Sequence, residues 1–585
     1  MRRLVVTLAF LAAIAAVVVL NGRAVGSGLP PAAASIRLTE VASAIGIDFV
    51  HQSPTLDPKV QHIAPHIAAL GACVSVTDFN NDGNPDLYFT SSRFGANNAL
   101  YLNKGDGTFH EQSEHAGVGA LNRAGEGVSM GAVWGDFDND GSEDLFVAKW
   151  GYQQLFKNNG NGTFTDVTAQ AGLRRWMNSN GAVWLDFDRD GLLDLYVTGY
   201  FRSDIDFWHL RTTRIMQHSW EFATNGGKNL LFKNVGNGRF EDVTDSLGVG
   251  STRWTLAAAS ADFNDDGWPD LYLANDYGPE ELYLNKAGKR FEPARAGLQD
   301  DSKSGMAVTI GDVYNRGRHD VFVTNISEKG FLFQGNNLRV NFLKELDRFD
   351  EVATGPVADA GWAWGAQFGD LNNDGLLDLV IANGFISGDS TRSYWYAMSK
   401  IAGAQGNIFE DARNWPAIGT ASLSGYERSR MLLNRGADGF EDVAVQAGMT
   451  DLLDGRAVAM ADLFNRGSLD VIIANERARP LIYSSPSPDG RGGQGVRTHW
   501  LELKLIGRRS NRSAIGADVT VEFGNVRQRQ VVDGGSGFCS QNDRRLHFGL
   551  GSERPGRVII RWPSGREQIV EGLAADQLHV ITEAE

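Results

Sequence analysis

Five stretches of this chain place acidic or amide side chains at alternate positions of a loop that ends in aspartate. They comprise Asp78, Asn80, Asp82 and Asp86; Asp136, Asp138, Asp140 and Asp144; Asp186, Asp188, Asp190 and Asp194; Asp262, Asn264, Asp266 and Asp270; and Asp370, Asn372, Asp374 and Asp378. Hard oxygen donors at positions one, three and five converge on one point when the loop curls, and glycine at position six permits the sharp turn. Position seven would add a backbone carbonyl. The loops close with Asp at position nine, so they are not helix-flanked EF-hands. Calcium takes roughly six to eight oxygens in flexible geometry and suits such loops better than magnesium, which keeps more of its water. The plain alternative is that the aspartates only hydrogen-bond the turn backbone. Five intact copies at repeat spacing favour about five Ca2+ sites.

Two further copies run from Asp312 to Asp320 and from Asp462 to Asp470. They keep the first and last Asp but carry Tyr314 with Arg316, and Phe464 with Arg466, at positions three and five. A guanidinium in that place would stand in for the cation and pair with Asp320 or Asp470. These two loops are expected to hold no metal.

A second chemistry is suggested by His51, His62 and His66, before the first repeat, and by His209 and His218, in a later insertion beside Trp208, Arg211, Arg214 and Trp220. Converging imidazoles would bind a transition metal or act as acid and base. The alternative is that each ring packs or hydrogen-bonds locally. No nucleophile elbow, zincin helix, P-loop or dinucleotide fingerprint occurs. Paired carboxylates for a glycosidase cannot be singled out, because so many Asp residues serve the loops.

The elements that position the loops repeat with them. A small, apolar stretch such as Gly131–Gly135 precedes each loop, and a β-rich run such as Asp194–Thr198 follows. Next come a Leu-x-x-Asn segment, a Gly/Asn turn and a Phe-x-x-Val segment, which are strand and hairpin signals. One repeat is therefore four short strands with the Asp loop between the first two. Seven copies predict an all-β fold, a seven-bladed β-propeller over residues 35–485. The last copy lacks a fourth strand, and Leu38–Val41 matches one, so the N-terminal strand is expected to complete the last blade. Two long gaps place insertions at about 201–228 and 385–430, on the face opposite the loops. Trp176, Trp254, Trp362 and Trp364 fall on connections of that same face. A linker composition over 486–496 precedes residues 497–585, whose alternation at Leu501, Leu503 and Leu505 and at Val519, Val521 and Phe523 reads as a small β-sandwich.

Composition bounds the rest. The formal charge of -16 excludes a basic nucleic-acid footprint. Arg508, Arg509 and Arg512 form a short basic cluster that is best explained as a solvated face. Two cysteines, Cys73 and Cys539, make no disulfide framework or zinc set and read as small buried hydrophobes. Met1-Arg2-Arg3, the apolar run Leu4–Leu20 and Ala32-Ala33-Ala34 make residues 1–34 a signal peptide or N-terminal anchor, and the protein an exported one. Membrane contact is expected only through that segment if it is not cleaved.

The Asp loops and their flanking strands resemble FG-GAP/VCBS repeats, the unit of the integrin α-subunit propeller. Asn511–Ala517, Gly535–Gln541, Leu546–Gly551 and Trp562–Gly565 resemble the ASPIC/UnbV domain. The chain as a whole is similar to the cartilage acidic protein 1 family. That resemblance implies an integrin-like propeller, extracellular calcium binding and interaction roles, without an agreed reaction. The expected function is that of a secreted, periplasmic or cell-surface calcium-binding propeller with an extracellular protein or glycan ligand. The alternative is an exported polysaccharide-active enzyme or metal-dependent oxidoreductase whose site lies on the face opposite the loops.

Overall fold

The computed structural model describes residues 36–298, 301–485 and 498–585. The expected leader segment 1–34 and the linker 486–496 lie outside the described residues. Among the described residues, no helix is long and apolar enough to cross a membrane.

Among the described residues up to 485, seven sheets carry four strands each in meander order, and two of them gain a fifth strand. Several sheets begin with a buried strand rich in small residues, such as Trp254–Ala261 or Gly455–Ala461. Small side chains let these strands approach one another around an axis. The inner strands Val74–Thr77, Gly127–Gly135, Ala182–Leu185, Trp254–Ala261, Val308–Gly311, Ala363–Gly369 and Gly455–Ala461 pack in sequence, and the last returns to the first. The sheets are thus blades of a closed ring, and each is identified here by the first Asp of its loop. The strand Thr39–Glu40 completes the Asp462 blade, with Thr39 opposite Ser484 and Glu40 opposite Tyr483.

The Asn that ends the Leu-x-x-Asn segment stitches blades together. Its backbone N–H donates to the closing Asp of its own loop, as Asn234 does to Asp194 Oδ1 at 2.8 Å. Its side-chain amide donates to a carbonyl of a neighbouring blade. Asn103 reaches Leu463, Asn158 reaches Phe79, Asn234 reaches Phe137, Asn285 reaches Phe187, Asn341 reaches Phe263 and Asn434 reaches Val313. These amides are buried, so each bond satisfies a group that would otherwise be costly to desolvate.

Residues 498–585 form two further sheets. One comprises Leu546–Gly551, His499–Ile506 and Leu578–Thr582; the other Val526–Val531, Asp518–Phe523, Arg557–Arg561 and Glu567–Glu571. Leu501, Leu503, Val519, Val521 and Phe548 meet between them, and their cluster continues into Val133, Phe137 and Trp184 of the propeller. The sandwich is therefore a cap fused to the propeller core. Between its strands, the segment around Gly534–Asn542 enters the axis. Ser540 and Gln541 pair in parallel with Val74 and Ser75. Gly534 O accepts from Trp184 N at 3.0 Å, Gly537 N donates to Val308 O at 2.6 Å and Gln541 Oε1 accepts from Trp134 N at 2.7 Å. Phe538 packs on Trp364 with centroids 5.1 Å apart, and Asn542 Oδ1 accepts from Met460 N at 2.9 Å. Cys73 and Cys539 lie at this junction as buried, free thiols.

The opposite mouth is closed by a lid of three interlocked segments. The first insertion meets the second where Met216 N donates to Glu410 O at 3.0 Å and Gly406 N donates to His218 O at 2.7 Å. The N-terminal segment joins both, through Asp57 N to Phe207 O at 2.8 Å and Ile418 N to His62 O at 2.9 Å. Phe201, Phe207, Trp254, Trp362, Trp364, Phe385 and Trp415 share one buried cluster beneath it.

Candidate metal centres

All five intact Asp loops adopt the same geometry. Position four is left-handed, at φ 59° in Asn81 and Asn139, 60° in Arg189 and 58° in Asp265 and Asn373. This curl points the backbone N–H groups of positions five and six at the first Asp. In the Asp136 loop, Asp140 N donates to Asp136 Oδ1 at 3.0 Å and Gly141 N donates to Oδ2 at 2.7 Å. The closing Asp144 is fully buried; its Oδ2 accepts from Phe137 N at 3.1 Å and its Oδ1 from Asn158 N at 2.8 Å. Turn hydrogen bonding of the Asp residues is thus present, as the plain alternative expected, but it does not use all their oxygens.

Oxygens of Asp136, Asp138 and Asp144 lie within 4.8 Å of one another, as do those of Asp186, Asp188 and Asp190. Asp138 Oδ1 and Asp188 Oδ1 are buried without a hydrogen-bond partner. Burial, together with neighbouring acids, pushes the carboxyls of Asp136 and Asp186 up to about 7 and that of Asp86 up to about 9. Packed, desolvated oxygens that repel one another are what a hard dication would stabilise, so the donor set fits calcium. The residues that would hold it are the first, third, fifth and ninth of each loop.

The two degenerate loops hold a guanidinium in that place. Arg316 donates to Asp320 Oδ1 at 2.7 Å and lies over the Phe342 ring; Arg466 donates to Asp470 Oδ1 at 3.1 Å and lies over Phe464.

The cap touches every loop. Lys504 Nζ reaches Asp78 Oδ2 at 3.1 Å, and Asp136 N donates to Ser513 Oγ at 3.0 Å. Arg189 donates to Pro563 O at 2.8 Å. Arg529 binds Asp265 Oδ1 at 2.5 Å through its guanidinium and Asp312 Oδ2 at 3.1 Å through its backbone N–H. His547 meets Asn373 Oδ1 at 2.6 Å and Arg545 meets Asn465 Oδ1 at 2.6 Å. Gly549 sits so close to the Asp370 loop that a Cβ there would fall 2.0 Å from Asp370 Oδ2. Several C-terminal motif residues noted in the sequence are therefore docking residues, a role that the sequence reading missed. Arg508, Arg509 and Arg512 are exposed, as a solvated basic face requires, while the backbone N–H groups of Arg508, Arg509 and Ser510 all donate to Glu583 Oε2 at 2.8–2.9 Å.

The five histidines occupy separate surroundings. Buried His51 accepts from Arg477 N at Nδ1 (3.2 Å) and contacts Ser92 Oγ at Nε2 (3.2 Å), tying the first blade to the last. Burial holds its ring pKa below the ordinary value despite the adjacent Glu476 carboxylate. His62 Nε2 donates to Ala412 O at 3.0 Å. His66 packs on Trp415 and Phe385, and burial lowers it to about 4. His209 is exposed and donates to Asp206 at 3.0 Å; His218 Nε2 lies 3.3 Å from Thr224 Oγ1. Among the described residues, the groups of His, Cys, Asp and Glu spaced for a metal lie in the Asp loops.

Comparison with known proteins bears on this architecture. Residues 78–147, 136–197, 222–273, 262–323 and 312–381 match the FG-GAP-like repeat, and residues 507–585 match the ASPIC and UnbV family. The chain is 24% identical to cartilage acidic protein 1 of Mus musculus over 57% of this chain and 53% of that protein. It is 32% identical to the Xenopus tropicalis protein over 27% and 25%, and 23% identical to the Homo sapiens protein over 57% and 52%. The chain thus spans about half the length of the mouse and human relatives. Among solved structures, a lectin of Agrocybe aegerita that recognises non-reducing terminal N-acetylglucosamine aligns at 15% identity and a TM-score of 0.36, covering 70% of this chain and 87% of that one. An exotype rhamnogalacturonan lyase aligns at 14% and 0.36, covering 71% and 72%. At such scores neither alignment bears on function.

Proposed function

We propose that this chain, built of FG-GAP-like repeats with a C-terminal ASPIC and UnbV domain, is an exported calcium-binding propeller that binds an extracellular protein or glycan through the face opposite its Asp loops. The observation that carries this reading is the contrast between the two faces. The loop face is occupied by the cap. The lid face presents aromatic side chains to solvent. Phe331 and Phe333, on the connection that follows Asp320–Val323, are 50% and 60% exposed, and Tyr396 of the helix Trp395–Ala402 is 67% exposed. Phe331 stacks on Trp395 with centroids 5.8 Å apart, so the two elements form one patch. Lys400 lies 4.5 Å over the Tyr396 ring. Exposed aromatics beside a cation suit sugar faces and protein hot spots alike. Calcium would act as scaffold, holding the blades and their cap. Export is supported by the N-terminal sequence, and the partial likeness to cartilage acidic protein 1 accords with it.

The test is binding to a glycan array and to a panel of extracellular matrix proteins in calcium buffer. The double variant Phe331→Ser, Tyr396→Ser should melt like the parent and lose at least about tenfold in affinity, as loss of two aromatic anchors predicts. Undiminished binding by the variant, or no ligand in either panel, rejects the reading.

A further inference from the structure

The five intact loops fall into two kinds. Asp fills position three in the Asp136 and Asp186 loops, and the third strand of each of those blades carries a lysine, Lys157 or Lys233, just before its Asn. The other three loops have Asn80, Asn264 or Asn372 at position three, and Leu102, Leu284 or Leu433 in the lysine's place. The two positions change together.

The contacts explain why. Lys157 Nζ touches the Asp138 carboxylate and lies 2.7 Å from Asp140 Oδ2; Lys233 Nζ touches Asp188 and lies 2.7 Å from Asp190 Oδ2. In the other loops, the Asn amide donates to the position-five carboxylate instead, at 3.0 Å from Asn80 to Asp82 Oδ2, 3.0 Å from Asn264 to Asp266 and 2.9 Å from Asn372 to Asp374. An ammonium or an amide thus holds the same oxygen. The extra carboxylate at position three is matched by the lysine's positive charge. The lysine engages Asp138 Oδ2 and leaves Oδ1 buried and unpartnered, in a residue whose carboxylate groups with those of Asp136 and Asp144. The Asp188 loop repeats the pattern, with Oδ1 unpartnered and the Asp188 carboxylate grouped with those of Asp186 and Asp190.

We propose that Lys157 and Lys233 are built-in counter-cations that set the calcium affinity of their loops, and that each Asp–Lys pair is exchangeable as a unit with Asn–Leu. This rests on the calcium reading above. A lysine that touches two ligand carboxylates opposes a dication by like-charge repulsion, and it relieves carboxylate repulsion when calcium is scarce. Removing the lysine alone makes the loop more negative and tightens calcium. Removing the carboxylate alone leaves the lysine facing the ion and weakens it. Removing both rebuilds the composition of the other three loops.

The experiment is calorimetric titration of calcium into the full chain, paired with thermal melts in EGTA. With Lys157→Leu and Lys233→Leu together, two ions should bind at least about tenfold tighter, and the EGTA melting temperature should fall. With Asp138→Asn and Asp188→Asn together, two ions should bind at least about tenfold weaker. The fourfold variant should return close to the parent. If the double lysine variant fails to fold, single Lys157→Gln reports the same sign on one ion. Unchanged or weaker binding in the lysine variants, with a calcium-binding parent, overturns the inference alone. A parent that binds no calcium overturns the calcium reading and the inference with it.

Discussion

Trp500 of the cap lies so close against Gly467 of the Asp462 loop that a Cβ built at Gly467 would fall 1.8 Å from the indole. The indole is held there by stacking on His547, with centroids 6.1 Å apart, and His547 in turn meets Asn373 of the adjacent Asp370 loop. Gly467 also has φ +76°, the left-handed turn of loop position six. One glycine therefore serves the loop and the docking of another domain.

Gly467→Ala should accordingly be costly. The methyl must displace the indole, and a left-handed alanine adds strain, together about 2–4 kcal/mol. The measurement is a thermal melt with intrinsic Trp emission. Trp500→Ala should remove most of the added cost of Gly467→Ala, because the clash is with that ring. Purely additive effects would show that the cap does not dock there.

Calcium removal should loosen the whole assembly. Each ion bound only by the folded chain stabilises it by about 2.7 kcal/mol at a free concentration a hundredfold above its Kd. Metal analysis should return about five calcium ions per chain, and EGTA should lower the melting temperature by more than about 5 °C. Because the cap rests on the loops, cleavage by trypsin within residues 498–585 should accelerate in EGTA. An unchanged melt would remove calcium from the stability of the fold.

Beneath the lid, buried Asp276 accepts from Tyr200 at 2.8 Å, and burial pushes its carboxyl up to about 7. A raised acid favours the protonated form in the fold. The penalty is absent below the unfolded value near 4, grows as pH rises and is fully present above about 7. Asp276→Asn keeps the acceptor for Tyr200 and removes the charge. The variant should match the parent at pH 4 and exceed it at pH 8 by on the order of 2–4 kcal/mol. Equal stability at both pH values would mean that Asp276 is stabilised as an anion.

Much of the propeller was legible because its determinants are local and repeated. Asp loops mark one end of every blade, small residues mark the inner strands, and a missing fourth strand beyond Leu481–Ser484 pointed to Thr39–Glu40. The docking of the cap left no such periodic mark. Ser540 pairs with Val74 across most of the chain, and the stretch Gly535–Gln541 was read only as part of a family resemblance, which carries no sign of where it docks. The histidines show the limit of spacing as a guide. His51 and His66 are both buried near the axis, yet one stitches blades while the other packs among aromatic rings. The coupling of Lys157 and Lys233 to Asp138 and Asp188 was present in the sequence, but its meaning depends on which strand faces which loop.

The degenerate Asp312 loop offers a constructive test of the cation argument. It keeps Asp312 and Asp320, and Asn315 has the left-handed φ of 51° found at position four elsewhere. Arg316 N and Gly317 N donate to Asp312 at 2.7 and 2.8 Å, so the backbone curl is intact. What differs is Tyr314 at position three and the Arg316 guanidinium on Asp320. Arg316 shields buried Asp320, so Arg316→Ala alone should destabilise by about 3 kcal/mol, the cost of stranding a buried charge. Tyr314→Asn with Arg316→Asp restores the donor set of the Asp78 loop. That variant should be unstable in EGTA, recover with calcium, and bind one more calcium ion than the parent by metal analysis. Recovery without an added ion would mean that calcium in the other loops rescues the fold while the Asp312 loop stays empty. No recovery would mean that the cap residue Arg529, whose backbone N–H occupies Asp312 Oδ2 at 3.1 Å, closes the loop to metal.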